Sequence, residues 1–243
     1  MSDTNPTTTG PRLVLFDIDG TLMITKGASS RCMKRAGEIV LGPTFKWHPI
    51  TVGTLDPQIF DQLARANGIT PTPAQRLRYE EIYLDELERE LYAHLEDITV
   101  MPGIEQLVER LHERALEHGD VLLGVLTGNF RRATELKLAL SGLGLDRFHV
   151  VVCAEEGATR DDLPKAALRL AEQHAGQAVL PEQTYILGDT PRDIQCAQAN
   201  GCVSISVATG RYSAEQLRGA GGQIVFDSFE PIGPVLDCLG IER

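Results

Sequence analysis

The chain has 243 residues and a formal net charge of −11, an acidic balance that argues against nonspecific binding to nucleic acid or to an anionic membrane. No apolar run approaches the roughly 20 residues of a membrane-spanning helix, and the polar first ten residues have no apolar core for a secretory signal. Five scattered cysteines without a C-x-x-C pair predict reduced thiols and no zinc site. We therefore expect a cytoplasmic globular protein, with residues 1–10 as a disordered tail.

The first predicted strand, at 12–16, is an apolar run that ends abruptly in the turn sequence Asp17-Ile18-Asp19-Gly20-Thr21. From about residue 26 to residue 97 no convincing strand follows. Three segments with helical spacing, each with a cap-type residue near its start, predict helices at 30–41, 57–67 and 73–95. Residues 26–96 are therefore interpreted as a helical insert.

After the insert, predicted helices alternate with strands to the end of the sheet region. Apolar runs predict strands at 121–126, 150–153, 184–187, 202–207 and 223–226, and helical spacing predicts helices at 104–118, 131–141, 165–174 and 193–200. This alternation is typical of a Rossmann-like α/β fold with a doubly wound parallel sheet. We expect one α/β core domain, formed by residues 11–25 and 97–243, with a helical domain inserted at 26–96.

Polar residues follow the predicted strands at the points where each strand ends. In an open α/β sheet ligands bind at the carboxyl ends of the strands, so these residues should converge there. They are Asp17, Asp19, Thr127, Gly128, Asn129, Asp189 and Asp193. Carboxylates that converge repel one another unless a cation compensates them, and Mg²⁺ suits a site of carboxylate oxygens. The sequence therefore predicts a Mg²⁺ site.

Three segments in a fixed order resemble the haloacid dehalogenase superfamily. They are the Asp-x-Asp-Gly-Thr pattern that begins at Asp17, Leu-Thr-Gly-Asn at 126–129 and Gly-Asp-Thr-Pro-Arg-Asp at 188–193. The resemblance covers nearly the whole chain. The insert at 26–96 resembles the α-helical cap of members such as phosphoglycolate phosphatase and β-phosphoglucomutase.

The resemblance implies a role for each motif residue. Asp17 would be the nucleophile that forms an aspartyl-phosphate, and Asp19 would protonate the leaving oxygen and then activate water. Thr127 would hydrogen-bond the transferring phosphoryl group, and the backbone N–H groups of Gly128 and Asn129 would help to hold it.

The same resemblance implies the ligands of the cation. Asp17, Asp189 and the backbone carbonyl of Asp19 would bind Mg²⁺, and Asp193 would bind or orient it. The ion would offset the repulsion between an anionic nucleophile and an anionic substrate.

The family also places a basic residue after the third strand, and here two candidates are open. Lys165 begins the apolar-periodic helix predicted at 165–174, and it is the first choice for a catalytic cation. Arg160, five residues earlier, fits another alignment and would bind the phosphate. The common form of this motif, Lys-Pro-x-Pro-Asp, is absent.

Between two predicted helices of the insert lies a loop that capped members use to contact the leaving group. Gly53 and Thr54 are the candidate substrate-binding residues, because a glycine backbone can approach a ligand closely and a hydroxyl can donate to it. A plain helix–helix connection is the alternative. Asp56 is expected to cap the following helix, with Pro57 at its first position. Arg131 and Arg132 either add charge near the cleft or form an exposed helix face.

Together these residues predict a Mg²⁺-dependent phosphatase for a small phosphorylated metabolite, of the phosphoglycolate or sugar phosphate kind. A phosphosugar mutase of the β-phosphoglucomutase type and a noncatalytic module with the same fold are the alternatives. We expect neither a nucleic-acid partner nor a membrane partner. Both a monomer and a homodimer fit the sequence.

Overall fold

The structure is a computed structural model that describes residues 10–51 and 53–242. The disordered tail expected at residues 1–10 therefore lies outside the described residues, except for Gly10. Within the described part of the chain no helix is both long enough and apolar enough to span a membrane.

The elements follow one another along the chain as a strand, a helical insert and then alternating helices and strands. The strands are β1 Arg12–Phe16, β2 Met23–Ile24, β3 Thr99–Val100, β4 Val121–Leu126, β5 Val150–Val152, β6 Thr184–Gly188, β7 Val203–Val207 and β8 Ile224–Phe226. The α-helices are α1 Ala28–Leu41, α2 Asp56–Ala66, α3 Pro73–Ala93, α4 Ile104–His118, α5 Arg131–Ser141, α6 Leu163–Ala175, α7 Pro191–Ala199, α8 Ala214–Gly219 and α9 Gly233–Leu239.

Six strands form one parallel sheet in the order β5–β4–β1–β6–β7–β8. Strand β4 is buried at every position, which explains its uninterrupted apolar sequence. Strand β1 lies at the centre, with β4 on one side and β6 on the other. This point, where the strand order changes direction, is where doubly wound sheets bind their ligands.

Helices cover both faces of the sheet because alternate side chains of its strands enter different cores. Val14 and Phe16 of β1 belong to a cluster with residues of α4 and α9. Leu13 and Leu15 belong to a second cluster, with residues of α6 and α7. The expected doubly wound α/β fold is confirmed.

Helices α1, α2 and α3 form a third apolar cluster, which Phe130 of the core joins. Within it Phe60 of α2 stacks on Tyr79 of α3 with ring centroids 4.3 Å apart. The antiparallel ribbon of β2 and β3, in which Met23 pairs with Val100, carries the chain into and out of these helices. The insert is thus joined to the core by two adjacent strands.

The predicted strands and helices are present, with ends that differ by at most two residues. Four elements were not predicted: β2, β3, α8 and α9. The two strands are two residues long and the two helices are six and seven residues long, so they are too short to show a clear apolar period.

Candidate active site

The loops that follow strands β1, β4, β5 and β6 meet at one end of the sheet. Asp17 follows β1 directly and Asp189 follows β6 directly, while Asp193 lies in the first turn of α7. One carboxylate oxygen from each of these three residues lies within 4.8 Å of the other two. All three side chains are buried. The carboxylates expected to converge here therefore do so.

Arg160 is the cation of this cluster. Its buried guanidinium contacts Asp17 Oδ1 at 3.1 Å and donates a hydrogen bond to Asp193 Oδ1. Burial alone would lower the pKa of Arg160, but the charges of Asp193 and Asp17 outweigh burial and hold that pKa well above its usual value. The guanidinium therefore stays charged beside the residue expected to be the nucleophile.

Asp17 keeps one oxygen available for chemistry. Arg160 contacts Oδ1, and Oδ2 has no hydrogen-bond partner among the described residues. Burial raises the pKa of Asp17 to about 6, because desolvation outweighs the attraction of Arg160, and Asp193 and Asp19 act in the same direction as burial. An additional cation near this carboxyl would favour its ionised form.

Asp189 has a buried oxygen, Oδ1, without a partner in the described structure. Burial, together with the charges of Asp17 and Asp193, raises the pKa of Asp189 to about 8. Two glycines leave room for this carboxylate. A Cβ on Gly20 would lie 2.5 Å from Asp189 Oδ2, and one on Gly210 would lie 1.6 Å from the same atom.

The residues of this cluster fit a divalent cation. When ionised, the buried carboxylates of Asp17, Asp189 and Asp193 share one guanidinium, so two negative charges remain uncompensated. Carboxylate oxygens are the ligands that Mg²⁺ prefers, and the unpartnered Asp189 Oδ1 needs a donor or a cation. The backbone carbonyl of Asp19, two residues after Asp17, is the other expected ligand. The carboxylate of Asp19 makes a different contact.

The carboxylate of Asp19 contacts a lysine that was not predicted. Lys137 of α5 is fully buried, and its Nζ lies 2.7 Å from Asp19 Oδ1, 2.6 Å from Asp19 Oδ2 and 2.5 Å from Asn129 Oδ1. The side chain of Asp19 is 41% exposed, so the pair joins a buried cation to an accessible carboxylate. This contact holds the residue expected to be the acid–base group.

The spacing of buried residues in α5 indicates that Lys137 faces inward. The buried positions of this helix are Ala133, Thr134, Lys137 and Leu138, a three- and four-residue spacing that places the lysine on the inward face. A lysine on such a face is fully buried only when it is paired. Its partner could not be derived from the sequence, because Asp19 lies 118 residues away.

The segment after β4 contributes backbone groups to the site. Gly128 and Asn129 line the cleft between the insert and the core. Thr127 is fully buried, and its hydroxyl accepts the Asn129 N–H at 3.3 Å. Thr127 is not among the residues found to line the cleft, so its contact with a phosphoryl group stays a prediction.

The structure does not bring Lys165 to the cluster, whereas Arg160, the other candidate for the basic residue, lies in it. Lys165 is an exposed residue of the first turn of α6, and it is not among the described residues that line the cleft. The helix begins at Leu163, two residues earlier than predicted. Its inward face is formed by Leu163, Ala166 and Ala167, so Lys165 is directed away from Asp17.

Arg131 and Arg132 are also paired outside the cleft. Arg131 Nη2 lies 2.5 Å from Glu156 Oε1, and Arg132 Nη1 lies 2.9 Å from Asp85 Oδ1 of α3. Arg132 also contacts Glu88. These arginines do not line the cleft within the described part of the chain, and Arg132 instead links α5 to the insert.

The loop before α2 packs on the segment after β4. Gly53 and Thr54 both line the cleft, and the Thr54 carbonyl oxygen is so near Gly128 that a Cβ there would lie 2.7 Å from it. Asp56 was expected to be the N-cap, but Leu55 occupies that position and Asp56 is the first helical residue. Its Oδ2 accepts the Phe130 N–H at 3.0 Å.

The cleft between the insert and the core is a cavity of about 390 Å³. Asp17, Asp19 and Arg160 form its core end, and residues of α1, α2 and α3 form the part of its wall that belongs to the insert. This volume is in the range of small-molecule sites. The arrangement places Asp17, with one oxygen free, and the guanidinium of Arg160 in the wall of this cavity, and Asp189 and Asp193 lie next to Asp17.

A family model for haloacid dehalogenase-like hydrolases matches residues 11–201 of the chain. The chain belongs to this family. Its sheet, its inserted helices and the convergence of Asp17, Asp189 and Asp193 are in agreement with the family expected from the sequence. The haloacid dehalogenase-like hydrolase described here is therefore an enzyme of the hydrolase class.

Curated relatives of this hydrolase are named for one reaction. Phosphoglycolate phosphatase of Pseudomonas putida is 25% identical over 92% of this chain and 79% of its own length. Phosphoglycolate phosphatase of Synechococcus elongatus is 26% identical over 84% of this chain and 87% of its own.

Solved structures share the fold. A hydrolase from Pseudomonas syringae has a TM-score of 0.70 at 19% identity, over 93% of this chain and 98% of its own. CbbY from Rhodobacter sphaeroides, solved with xylulose-1,5-bisphosphate, has a TM-score of 0.71 at 20% identity, over 92% and 96%.

Proposed function

We propose that this hydrolase is a Mg²⁺-dependent phosphatase that hydrolyses a phosphate monoester of a small molecule through an aspartyl-phosphate intermediate. The observation that carries the proposal is the contact of Arg160 with one oxygen of Asp17, which leaves Oδ2 free at the core end of a small cavity. The names of the curated relatives support a phosphate ester as the substrate. A phosphoglycolate-like or sugar-phosphate-like ester is the class proposed.

In the first step Asp17 attacks phosphorus, and the bond between phosphorus and the ester oxygen breaks. Asp19 enters this step protonated and gives that proton to the departing oxygen, so the product leaves as a neutral alcohol and Asp19 becomes a carboxylate. The guanidinium of Arg160 balances the charge of the phosphoryl group beside Asp17. The backbone N–H groups of Gly128 and Asn129 and the hydroxyl of Thr127 are proposed to bind the phosphoryl oxygens.

In the second step water attacks the phosphorus of the aspartyl-phosphate, and Asp19 takes the proton of that water. The bond between phosphorus and Asp17 breaks, which releases inorganic phosphate and restores the carboxylate. Lys137 holds the Asp19 carboxylate through both of its oxygens. A carboxylate held in this way has a fixed position relative to Asp17 in both steps.

Asp17, Asp189 and the backbone carbonyl of Asp19 are proposed to hold Mg²⁺, with Asp193 binding or orienting it. When bound, the ion would supply positive charge that offsets the repulsion between the nucleophile and the phosphate. The cap helices of residues 26–96 are proposed to enclose the leaving group, with Gly53 and Thr54 next to it.

The proposal is tested by measuring inorganic phosphate release from a panel of small phosphate monoesters, with Mg²⁺ and with a chelator. Release is expected only with Mg²⁺. Samples quenched in acid during turnover should contain a phosphoryl group on the peptide that includes Asp17. Mass spectrometry of the digested protein identifies that residue.

Two results would contradict the phosphatase. No release from any ester by folded protein that binds Mg²⁺ would favour a noncatalytic module. Transfer of the phosphoryl group from a sugar bisphosphate to a sugar hydroxyl, without release of phosphate, would favour a mutase.

Replacing Gly210 with alanine is expected to weaken Mg²⁺ binding by about ten-fold or more, because the new methyl group would push the Asp189 carboxylate out of its position. The new Cβ would lie 1.6 Å from Asp189 Oδ2, so the carboxylate has to move. Isothermal titration of the protein with Mg²⁺ measures the effect without turnover.

Gly219→Ala is the matched control for this substitution. Gly219 is the last residue of α8, and a Cβ there meets no atom within 4 Å. Its Mg²⁺ affinity should equal that of the parent protein. Unchanged affinity in Gly210→Ala would mean that Asp189 is not a ligand.

A further inference from the structure

Three polar side chains from the helices of the insert line the cavity and are at least partly buried, and each comes from a different helix. They are Ser29 of α1, Asp56 of α2 and Tyr83 of α3, while Ser30 of α1 also lines the cavity but is exposed. Apolar side chains, among them Met33 and Ile59, form the wall around them. The leaving group of a phosphate ester would lie beside this wall, because its phosphate would face Asp17.

Two of these polar groups are unsatisfied hydroxyls. Tyr83 is fully buried, and burial raises the pKa of its hydroxyl well above the usual value, whereas a close contact with the Ser29 hydroxyl acts in the opposite direction. Neither hydroxyl makes a hydrogen bond of normal geometry with a described residue. Buried hydroxyls without partners are costly, and both of these line a cavity that a ligand can enter.

Asp56 is the third group, and one of its oxygens is available. Its Oδ2 accepts the Phe130 N–H, while Oδ1 has no hydrogen-bond partner among the described residues. Asp56 is 3% exposed. The Phe130 contact fixes the carboxyl in place, so the available oxygen has a defined position in the cavity.

Among the described residues that line the cavity, each basic side chain already has a carboxylate partner, so none is left for an acidic leaving group. The basic residues that line the cavity are Lys26 and Arg160. Arg160 is engaged by Asp17 and Asp193, and Lys26 contacts Asp97 at 2.9 Å with a side chain that is 55% exposed. Burial raises the pKa of Asp56 to about 7, and the charge of Lys137 opposes this shift. A carboxylate bound beside the ionised form of Asp56 would meet a like charge.

We propose that the leaving group carries a hydroxyl rather than a carboxylate, and that Ser29, Asp56 and Tyr83 recognise it. The substrate is then the phosphate ester of a small neutral polyol. This assignment rests on the proposed phosphatase activity. A hydroxyl both donates and accepts, so it can donate to the Asp56 oxygen and accept from Tyr83 or Ser29, which satisfies groups that are otherwise unpaired.

The test compares esters that differ only in this group. The first pair is 2-hydroxyethyl phosphate and 2-phosphoglycolate, and the second is glycerol 3-phosphate and 3-phosphoglycerate. In each pair a CH₂OH group replaces a carboxylate. The kcat/KM for the hydroxyl ester is expected to exceed that for the carboxylate ester by about ten-fold or more.

Two substitutions connect the preference to these residues. Tyr83→Phe should lower kcat/KM for 2-hydroxyethyl phosphate by about ten-fold, mainly through KM, because the hydroxyl loses a partner. Tyr79→Phe is the control: Tyr79 is a buried tyrosine of the same helix whose hydroxyl is also unpartnered, but it is not among the residues found to line the cavity. It should leave the preference unchanged.

Asp56→Asn removes the negative charge and keeps an oxygen for the Phe130 N–H. It should lower the ratio of kcat/KM for 2-hydroxyethyl phosphate to kcat/KM for 2-phosphoglycolate, because the carboxylate ester no longer meets a like charge. A purely structural role of Asp56 would lower both values equally and leave their ratio unchanged.

The outcomes separate this assignment from the proposed function. Phosphate release with a preference for 2-phosphoglycolate, or with a ratio that Asp56→Asn and Tyr83→Phe leave unchanged, overturns the assignment and keeps the phosphatase. No release from 4-nitrophenyl phosphate or from any of the four esters overturns both. Release with the expected ratios, altered by Asp56→Asn and Tyr83→Phe but not by Tyr79→Phe, supports the assignment.

Discussion

Replacing Arg160 with methionine is expected to lower kcat/KM for phosphate release by about 10³-fold, the range found when a cation at a transferring phosphoryl group is removed. The guanidinium is the buried cation that contacts both Asp17 and Asp193. Methionine fills part of the same space without charge, so the two carboxylates are left beside each other and beside the anionic substrate. Steady-state kinetics at saturating Mg²⁺ measures the loss.

Lys165→Met is the matched control, because it removes the same charge five residues along the chain. Lys165 is exposed, so kcat/KM should stay within about two-fold of the parent value. Arg160→Lys keeps the charge but loses the planar fork, and its activity should lie between those of the parent and Arg160→Met. Circular dichroism of each variant separates lost chemistry from lost folding. The prediction is contradicted if Lys165→Met has the larger effect.

The sequence predicted a basic residue after β5 but not which one, and the reason is local. Two single 3₁₀ turns, at Ala154–Glu156 and Arg160–Asp162, lie between β5 and α6. Such turns show no apolar period, so the start of α6 could be placed only to within two residues. Arg160 lies in the second of these turns, where no apolar period indicates which side chains face inward.

The parts of the site that the sequence predicted well are those fixed by the parallel sheet. Asp17 and Asp189 follow neighbouring strands, so the register of β1 and β6 brings them together whatever the loops do. The contacts that could not be predicted from the sequence join segments that are far apart along the chain. Asp56 bonds to Phe130 and Lys137 to Asp19, and neither pair leaves a pattern in the residues between them.

The Asp19–Lys137 pair leads to a second large expected effect. Asp19→Asn should lower the free energy of unfolding by about 3 kcal/mol, the lower end of the range for leaving a buried charge without its charged partner. The charge left behind is the ammonium group of Lys137, which has no exposed side-chain surface. Urea unfolding in the presence of a chelator measures the effect without the added stability of bound Mg²⁺.

The opposite substitution should be less damaging because the two partners differ in exposure. Lys137→Met leaves the carboxylate of Asp19, whose side chain is 41% exposed and can be hydrated, so the loss should be about 1–2 kcal/mol. The double variant contains neither charge, and its loss should fall short of the sum of the single losses by about 2 kcal/mol. Additive losses, or a larger loss in Lys137→Met than in Asp19→Asn, would mean that the ammonium group is not stabilised by Asp19. In that case Asn129, the other acceptor of the lysine, would be its main partner.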